Sequence, residues 1–416
     1  MSSENKPIRF PEAGNSHGIQ SLWGEYASKA SAALRRFLTL LFIGVIFASF
    51  AGYAGALFRL SVVWANDFRH VHPGLLFLLP FGGWIIASLY KRYKTDTRNA
   101  FDVMTESVQT GKPISSAASP LIWVSTFISH LFGASAGCEG ASLMIGGGIG
   151  STAGRLFHLN KEDSELIVLC GMAAAFAPLL GTPIAAAVFV VELTRTFSRS
   201  RLLMATISSL VAYAAVQPLG LHPIRFALTV PEYSLTLVAG VALIALVGMV
   251  CAEALRRGID AVTVWRQKSE RPVATIVFGA ILIVAITFQL GTYDYNGLGV
   301  EVIARAFHGQ AEPTAFFWKL ALTVIAMGVG FKGGQIVPAF FIGSTLGCTL
   351  AGVVGLDPAV GAAVGMIAVF SGVVRCPFAA LVMSIEIFGP VSLPIFILAC
   401  GAEQLVIRNA ECGIRN

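Results

Sequence analysis

Residues Gly171 to Glu192 read GMAAAFAPLLGTPIAAAVFVVE, and residues Gly365 to Glu386 read GMIAVFSGVVRCPFAALVMSIE. The two align without a gap, and the leading Gly-Met, the Phe, the Pro, several Ala and the closing Glu coincide. Each is an apolar segment interrupted by a proline, Pro183 or Pro377, and ended by a carboxylate, Glu192 or Glu386. Small apolar residues match by chance in so apolar a chain, but a proline and a carboxylate in register do not. The chain therefore reads as two repeated halves. A second pair lies upstream: Gly137 to Gly146 (GCEGASLMIG) corresponds to Gly333 to Gly343 (GGQIVPAFFIG) with one residue of slippage. Each half holds a glycine-rich break, an apolar helix and, later, the Gly-Met to Glu segment.

Composition supplies the setting for this duplication. The 416 residues are 55% hydrophobic and only 12% charged, with a mean hydropathy of +0.74. Water does not hold such a chain, so soluble enzymes, disulfide scaffolds and nucleic-acid binders are excluded. A span needs roughly 20 apolar residues, which leaves room for about ten spans, or more if some are short or broken. The expected fold is an all-α polytopic membrane protein of two repeated halves with broken helices, and the family resemblance given below implies that these are two inverted repeats with broken and tilted helices. Residues 1–36 form a tail and 37–416 the transmembrane domain, with halves at about 37–220 and 230–416.

Basic residues set the orientation. The net charge is +6, but the cations sit in short clusters between apolar runs, where orientation signals belong. Arg35 and Arg36 precede the first long run, and Lys91, Arg92, Lys94 and Arg98 follow the second. One pair of spans returns the chain to the same side, so the N-terminus is expected in the cytoplasm and the protein in the plasma (inner) membrane. Residues 1–33 carry no cleavable signal pattern and read as a tail with a short amphipathic helix around Leu22 to Leu34. Seven scattered cysteines without a CxxC pair point to neither zinc nor redox chemistry, and no cofactor is expected.

The glycine-rich breaks carry the chemistry. Glycines ahead of a helix permit positive φ and expose the first N–H groups, and the macrodipole adds about half a positive charge there. Two such breaks make an anion site without a fixed cation, bound weakly enough for release. Repeat transporters place such sites near the membrane midplane. Glu139 is the one carboxylate in the first break, and an ionisable residue at membrane depth is functional by default. Its carboxylate can occupy the anion site as a tethered ligand, and protonation lets it swing out.

These residues carry a family resemblance. SHLFGASAGCEGASLMIGG (Ser129 to Gly147) and GFKGGQIVPAFFIGSTLG (Gly330 to Gly347) resemble the two anion-coordinating signatures of the CLC family of chloride channels and proton-coupled antiporters. The wording is closest to its fluoride-exporting branch, which shares the HLFG lead-in and the FKGG approach. The resemblance covers residues from about 37 to the C-terminus. It implies that Glu139 is the gating glutamate, that Gly137, Cys138, Gly140 and Ala141 frame an outer anion site, and that N–H groups at Gln335 and Ile336, with Val337 beside them, hold a central anion. It also implies a homodimer with one pore per subunit, in the lipid bilayer, carrying chloride or fluoride, with protons if transport is coupled.

Several positions depart from the family pattern. Cys138 stands where the family usually has Arg, and Gln335 and Val337 where the fluoride branch has Glu and Thr. The early serine or methionine motif is absent from Asp96 to Ala100, leaving Thr97 as the available hydroxyl. Arg415 stands where the family places a coordinating tyrosine, and Leu193 follows Glu192 where chloride/proton exchangers often carry a proton-transfer glutamate.

Other readings compete for some of these residues. Gly133 to Gly137 (GASAG), with His130 nearby, fits a nucleophile elbow, so an intramembrane serine hydrolase is the alternative function; the elbow, however, needs a strand before it. Gly146 to Gly150 lacks the strand and the Lys-Ser/Thr of a phosphate loop and reads as close helix packing. His130 reads as hydrogen-bonded structure. Lys332 either draws anions in or snorkels to the interface. Glu192 and Glu386 fit helix-end structure at least as well as proton transfer, and Phe340 and Phe341 line either pore or core.

Overall fold

The computed structural model describes residues 16–401 apart from Thr97, His222 and Val230, and every regular element among them is helical. The chain divides into two units, Met1–Ile43 and Gly44–Asn416. In the first, the described residues are helical from Ser16 onward, as the start of α1 (Ser16–Val71). The separate short helix expected around Leu22 to Leu34 is instead part of this continuous helix. No proline interrupts the stretch, and Ala, Leu and Arg favour continuation. The expected tail boundary at residues 36 and 37 falls inside α1 as well.

Six helical segments among the described residues are long and apolar enough to cross a bilayer. They are Leu34–Val71 of α1; Pro73–Tyr93, which contains α2 (Leu79–Tyr93); α6 (Lys161–Leu180); α9 (Leu235–Lys268); α10 (Pro272–Leu290); and α13 (Ile336–Val354). The difference from about ten spans lies in four shorter apolar helices: α7 (Pro183–Leu193), α12 (Ala315–Val329), α14 (Pro358–Val374) and α15 (Pro377–Phe388). At 1.5 Å per residue, α7 and α15 reach roughly 17 Å, about half of a hydrocarbon core. Short helices at membrane depth must have their free backbone ends covered by protein. Phe278 and Phe288 of α10 are exposed, as a lipid-facing helix requires, whereas α6 is almost wholly buried.

The duplication is a physical repeat. α5 (Glu139–Leu156) packs along α6 with Gly146 and Gly150 against the Gly171 and Ile167 carbonyls. α13 packs along α14 in the same way, with Gly343 and Gly347 against the Gly365 and Gly361 carbonyls. A Cβ at any of these four glycines would overlap backbone, so the Gly146 to Gly150 run serves close packing. The halves are inverted: α5 and α13 meet N-terminus to N-terminus, and α7 and α15 run antiparallel. The first N–H groups of α7, at Ile184 and Ala185, donate to Glu386 at 3.1 and 2.7 Å. Those of α15, at Phe378 and Ala379, donate to Glu192 at 3.2 and 2.7 Å. Both glutamates are therefore helix caps.

Candidate anion site

Gly137 and Gly334 exchange two N–H···O bonds, each 2.8 Å, as an isolated antiparallel bridge. This clamp joins the two glycine-rich breaks, far apart in sequence, and sets the N-terminus of α5 against that of α13. Cys138 and Gln335 are the capping residues of the two helices, and neither caps with its side chain. The first-turn N–H groups consequently remain available, and two positive dipole ends converge. Pro338, in the first turn of α13, loses nothing there because its nitrogen needs no intrahelical partner.

Glu139 fills the space between them. It is fully buried, and its Oε1 accepts the Val337 N–H at 3.1 Å. The N–H groups of Cys138, Glu139 and Ile336 also face the carboxyl, while Oε2 has no hydrogen-bond partner among the described residues. A Cβ on Gly137 would overlap both carboxyl oxygens, and one on Gly334 would overlap Oε2 and crowd the Glu139 nitrogen. The breaks were expected to need glycine for positive φ. That requirement lies instead at Gly133 and Gly330, at φ 87° and 115°; Gly137 and Gly334 are glycines because the carboxylate and the opposing backbone approach so closely.

The remaining residues of the expected site gather at this junction. Ala141 and Ile336 are fully buried, and Cys138, Val337 and Gln335 nearly so. Gly140 sits against the Gly333 carbonyl and Ala100. Ala100 opens α3 (Ala100–Thr110), whose first turn is capped by Asn99 accepting from the Phe101 N–H at 3.2 Å. A third helix N-terminus thus reaches the site, and the capping asparagine is its legible signal in the sequence. Thr97, like Arg415 and the chain end, lies outside the described residues.

Several competing readings resolve here. Ser135 Oγ pairs with Thr323 Oγ1 at 3.0 Å, and both ring nitrogens of His130 face backbone oxygens, Thr126 at 2.8 Å and Ala136 at 3.1 Å. Neither group is available to the other, and no strand precedes Ser135, so the hydrolase constellation does not form. Lys332 does not snorkel: it is buried, with Nζ over the Tyr90 ring at 4.4 Å. With Arg98, Asn99, Arg266 and Gly333 it lines a cavity of about 150 Å³, of whose lining residues Ala100 and Gly333 lie against Gly140. Phe340 packs edge-on to Phe370 in the core, whereas Phe341 lies under Lys319, its centroid 5.0 Å from Nζ. Lys319 lies outside the expected site, and its signal in the sequence is a lone lysine within the apolar run AFFWKLALTV.

Known proteins share both sequence and architecture with this chain. A family model described as "Voltage gated chloride channel" matches residues 82–406. A chloride/fluoride channel protein of Pseudomonas syringae pv. tomato is 32% identical over 86% of this chain and 82% of its own length. A H(+)/Cl(-) exchange transporter of Vibrio vulnificus is 23% identical over 90% and 87%. Among solved structures, a CLC-type fluoride/proton antiporter superposes with a TM-score of 0.84 at 28% identity, covering 89% of this chain and 95% of that one. A slow cyanobacterial Cl-/H+ antiporter, at 21% identity and a TM-score of 0.76, shares the fold. With an inverted repeat, a glutamate seated between two opposed helix N-termini and a match over most of its length, this chain belongs to the voltage-gated chloride channel (CLC) family of anion transport proteins.

Proposed function

We propose that the protein carries a halide across the plasma (inner) membrane through the junction of α5 and α13, with Glu139 as a proton-operated gate. The observation that carries this reading is the Glu139 carboxylate on the Val337 N–H at the mouth of α13. An ionised carboxylate there stands in for a transported anion. Burying a bare ion costs on the order of 20 kcal/mol in the Born limit, and the converging N–H groups and dipoles offset that for carboxylate and halide alike. Protonation removes the negative charge, the side chain leaves, and an anion takes the N–H groups around Gly137, Cys138, Gly140 and Ala141 and then those at Gln335, Ile336 and Val337. Return of the ionised carboxylate expels it. One proton is bound and released per gate cycle, which couples anion movement to pH. The cavity beside Lys332 and Arg98 is the access route on one face.

Fluoride/proton antiport is the form favoured by the HLFG and FKGG segments and by the relatives named for fluoride. Chloride transport is the second reading, favoured by Gln335 and Val337, which offer neither a carboxylate nor a hydroxyl to the second break. We read the assembly as a homodimer with one pore per subunit and the N-terminus in the cytoplasm. The test is anion efflux from proteoliposomes with fluoride and chloride compared under a simultaneous pH readout. Proton movement opposite to fluoride supports antiport, chloride flux without proton movement supports the second reading, and no flux of either overturns both.

A further inference from the structure

The last turn of α1 holds Arg69, a fully buried arginine. Its Nη2 lies 3.2 Å from His70 Nε2, while Nε and Nη1 are buried without a hydrogen-bond partner among the described residues. Guanidinium donors enclosed in this way are costly unless something accepts from them. The side chain lies against Gly133, at the head of the segment leading to Glu139, and near Gly297. Gly297 donates to the Ala134 carbonyl at 3.2 Å, and Asn296 Nδ2 donates to the Gly133 carbonyl at 3.0 Å. The loop around residues 295–297 and the approach to Glu139 are thereby laced together beside Arg69.

Lys319 enters the same place from α12. It too is fully buried, and its Nζ donates to the Tyr295 and Gly297 carbonyls at 3.2 and 2.7 Å. An ammonium has three donors, so these two carbonyls leave one over. Lys319 lies within electrostatic reach of Arg69, Glu139 and Glu301, and Arg69 within reach of Glu301 and Tyr293. Both cations thus feel the exposed Glu301, and Lys319 feels the buried gate as well. They are at the opposite end of the Pro73–Tyr93 segment from Lys332: Gly133 touches Leu76 as well as Arg69, whereas Lys332 lies over Tyr90.

We infer that Arg69, with Lys319 behind it, forms a recruiting site for a small inorganic anion on the far side of Glu139 from the Lys332 cavity. The unpartnered Nε and Nη1 of Arg69 bind the anion directly; Lys319 holds the loop that encloses it and adds positive potential along the approach to Glu139. The site is the entrance that halide uses before it displaces the gate, and in that respect it rests on the transport reading above. Binding by a guanidinium rather than by backbone dipoles makes this step tighter but less selective by size than the junction, since the planar fork accepts halides of different radii.

Two measurements test it. The first is anomalous scattering from the intact protein crystallised in bromide: a peak within hydrogen-bonding distance of Arg69 Nε and Nη1 is expected, and water alone there, with bromide present at the α5–α13 junction, overturns the site. The second is the concentration dependence of halide flux in proteoliposomes. Arg69→Gln should raise the half-saturating concentration roughly tenfold, the weight of a hydrogen bond to an ion, with little change in maximal rate, and Arg69→Lys should recover part of it. A variant that saturates like the unaltered protein overturns the proposal. If Arg69→Gln fails to fold, the bromide result and the Arg69→Lys saturation curve decide. Should the unaltered protein move no halide at all, the transport reading fails, and the bromide peak alone then judges whether Arg69 is an anion site.

Discussion

Glu192 and Glu386 each cap the helix that the other one ends: Glu192 closes α7 and accepts the first N–H groups of α15, and Glu386 closes α15 and accepts those of α7. This exchange is what an inverted repeat predicts when two copies of one segment pack antiparallel, each carboxylate meeting the positive end of its partner's dipole. Proline begins both helices, so the N–H groups that remain to be satisfied are those the carboxylates take.

The caps carry a stability prediction. Glu386→Ala and Glu192→Ala should each destabilise the protein by about 1–2 kcal/mol, the usual weight of an N-cap, seen as a lower thermal transition in detergent. Flux per folded molecule should stay near that of the unaltered protein. Lost proton coupling with unchanged thermal stability would instead put either residue on a proton path.

The gate prediction concerns Glu139. Glu139→Gln keeps an oxygen to accept the Val337 N–H, so the variant should fold with an unchanged elution profile. Because glutamine cannot titrate, pH dependence and proton coupling should both disappear from flux measurements. Flux that still follows pH as before would remove Glu139 from the mechanism.

Gly137 offers an independent route to the same site. The three atoms nearest to a Cβ there all belong to the Glu139 carboxyl group, so Gly137→Ala should push the carboxylate off its seat and produce uncoupled anion flux. Adding Glu139→Ala removes the clash, and the double variant should be no less stable than Glu139→Ala alone. A further loss of thermal stability in the double variant would show that the Gly137–Gly334 backbone bridge, and not the carboxylate, is what the methyl disturbs.

Selectivity should respond at Val337, whose N–H donates to the gate carboxylate and whose side chain is nearly buried. Dehydrating fluoride costs more than dehydrating chloride, and a hydrogen bond to an ion is worth roughly 1.5 to 3 kcal/mol, about ten- to a hundredfold. Val337→Thr, by supplying a hydroxyl, should raise the fluoride-to-chloride flux ratio by about that factor. If the unaltered protein already excludes chloride and Val337→Thr leaves the ratio where it was, backbone dipoles set selectivity without side-chain help.

Orientation is open to labelling. Lys91, exposed near the end of α2, should face the cytoplasm. In a background without native cysteines, Lys91→Cys should resist an impermeant thiol reagent on intact cells and react after permeabilisation. Labelling of intact cells would invert the assignment.

What the amino-acid sequence determined by itself was the class of solvent, the duplication and the chemistry of the two breaks. Hydropathy, helix-breaking prolines and a lone carboxylate among glycines are local properties, readable wherever the chain goes. The helical all-α fold and the place of Glu139 at a helix start both followed from them. The pairing of the two breaks was legible too; tertiary structure alone decided how closely they approach and that a third N-terminus joins them. The Gly137–Gly334 bridge has no sequence signal of its own, and it reassigns those glycines from turning the chain to making room for a carboxylate. Packing likewise placed Ala100 against Gly140, turned Glu192 and Glu386 into reciprocal caps, and enclosed Arg69 and Lys319 around Gly297. A single side chain in a membrane sequence can face lipid, a neighbour or the pore, and the burial cost that separates these outcomes exists only once another helix stands opposite it.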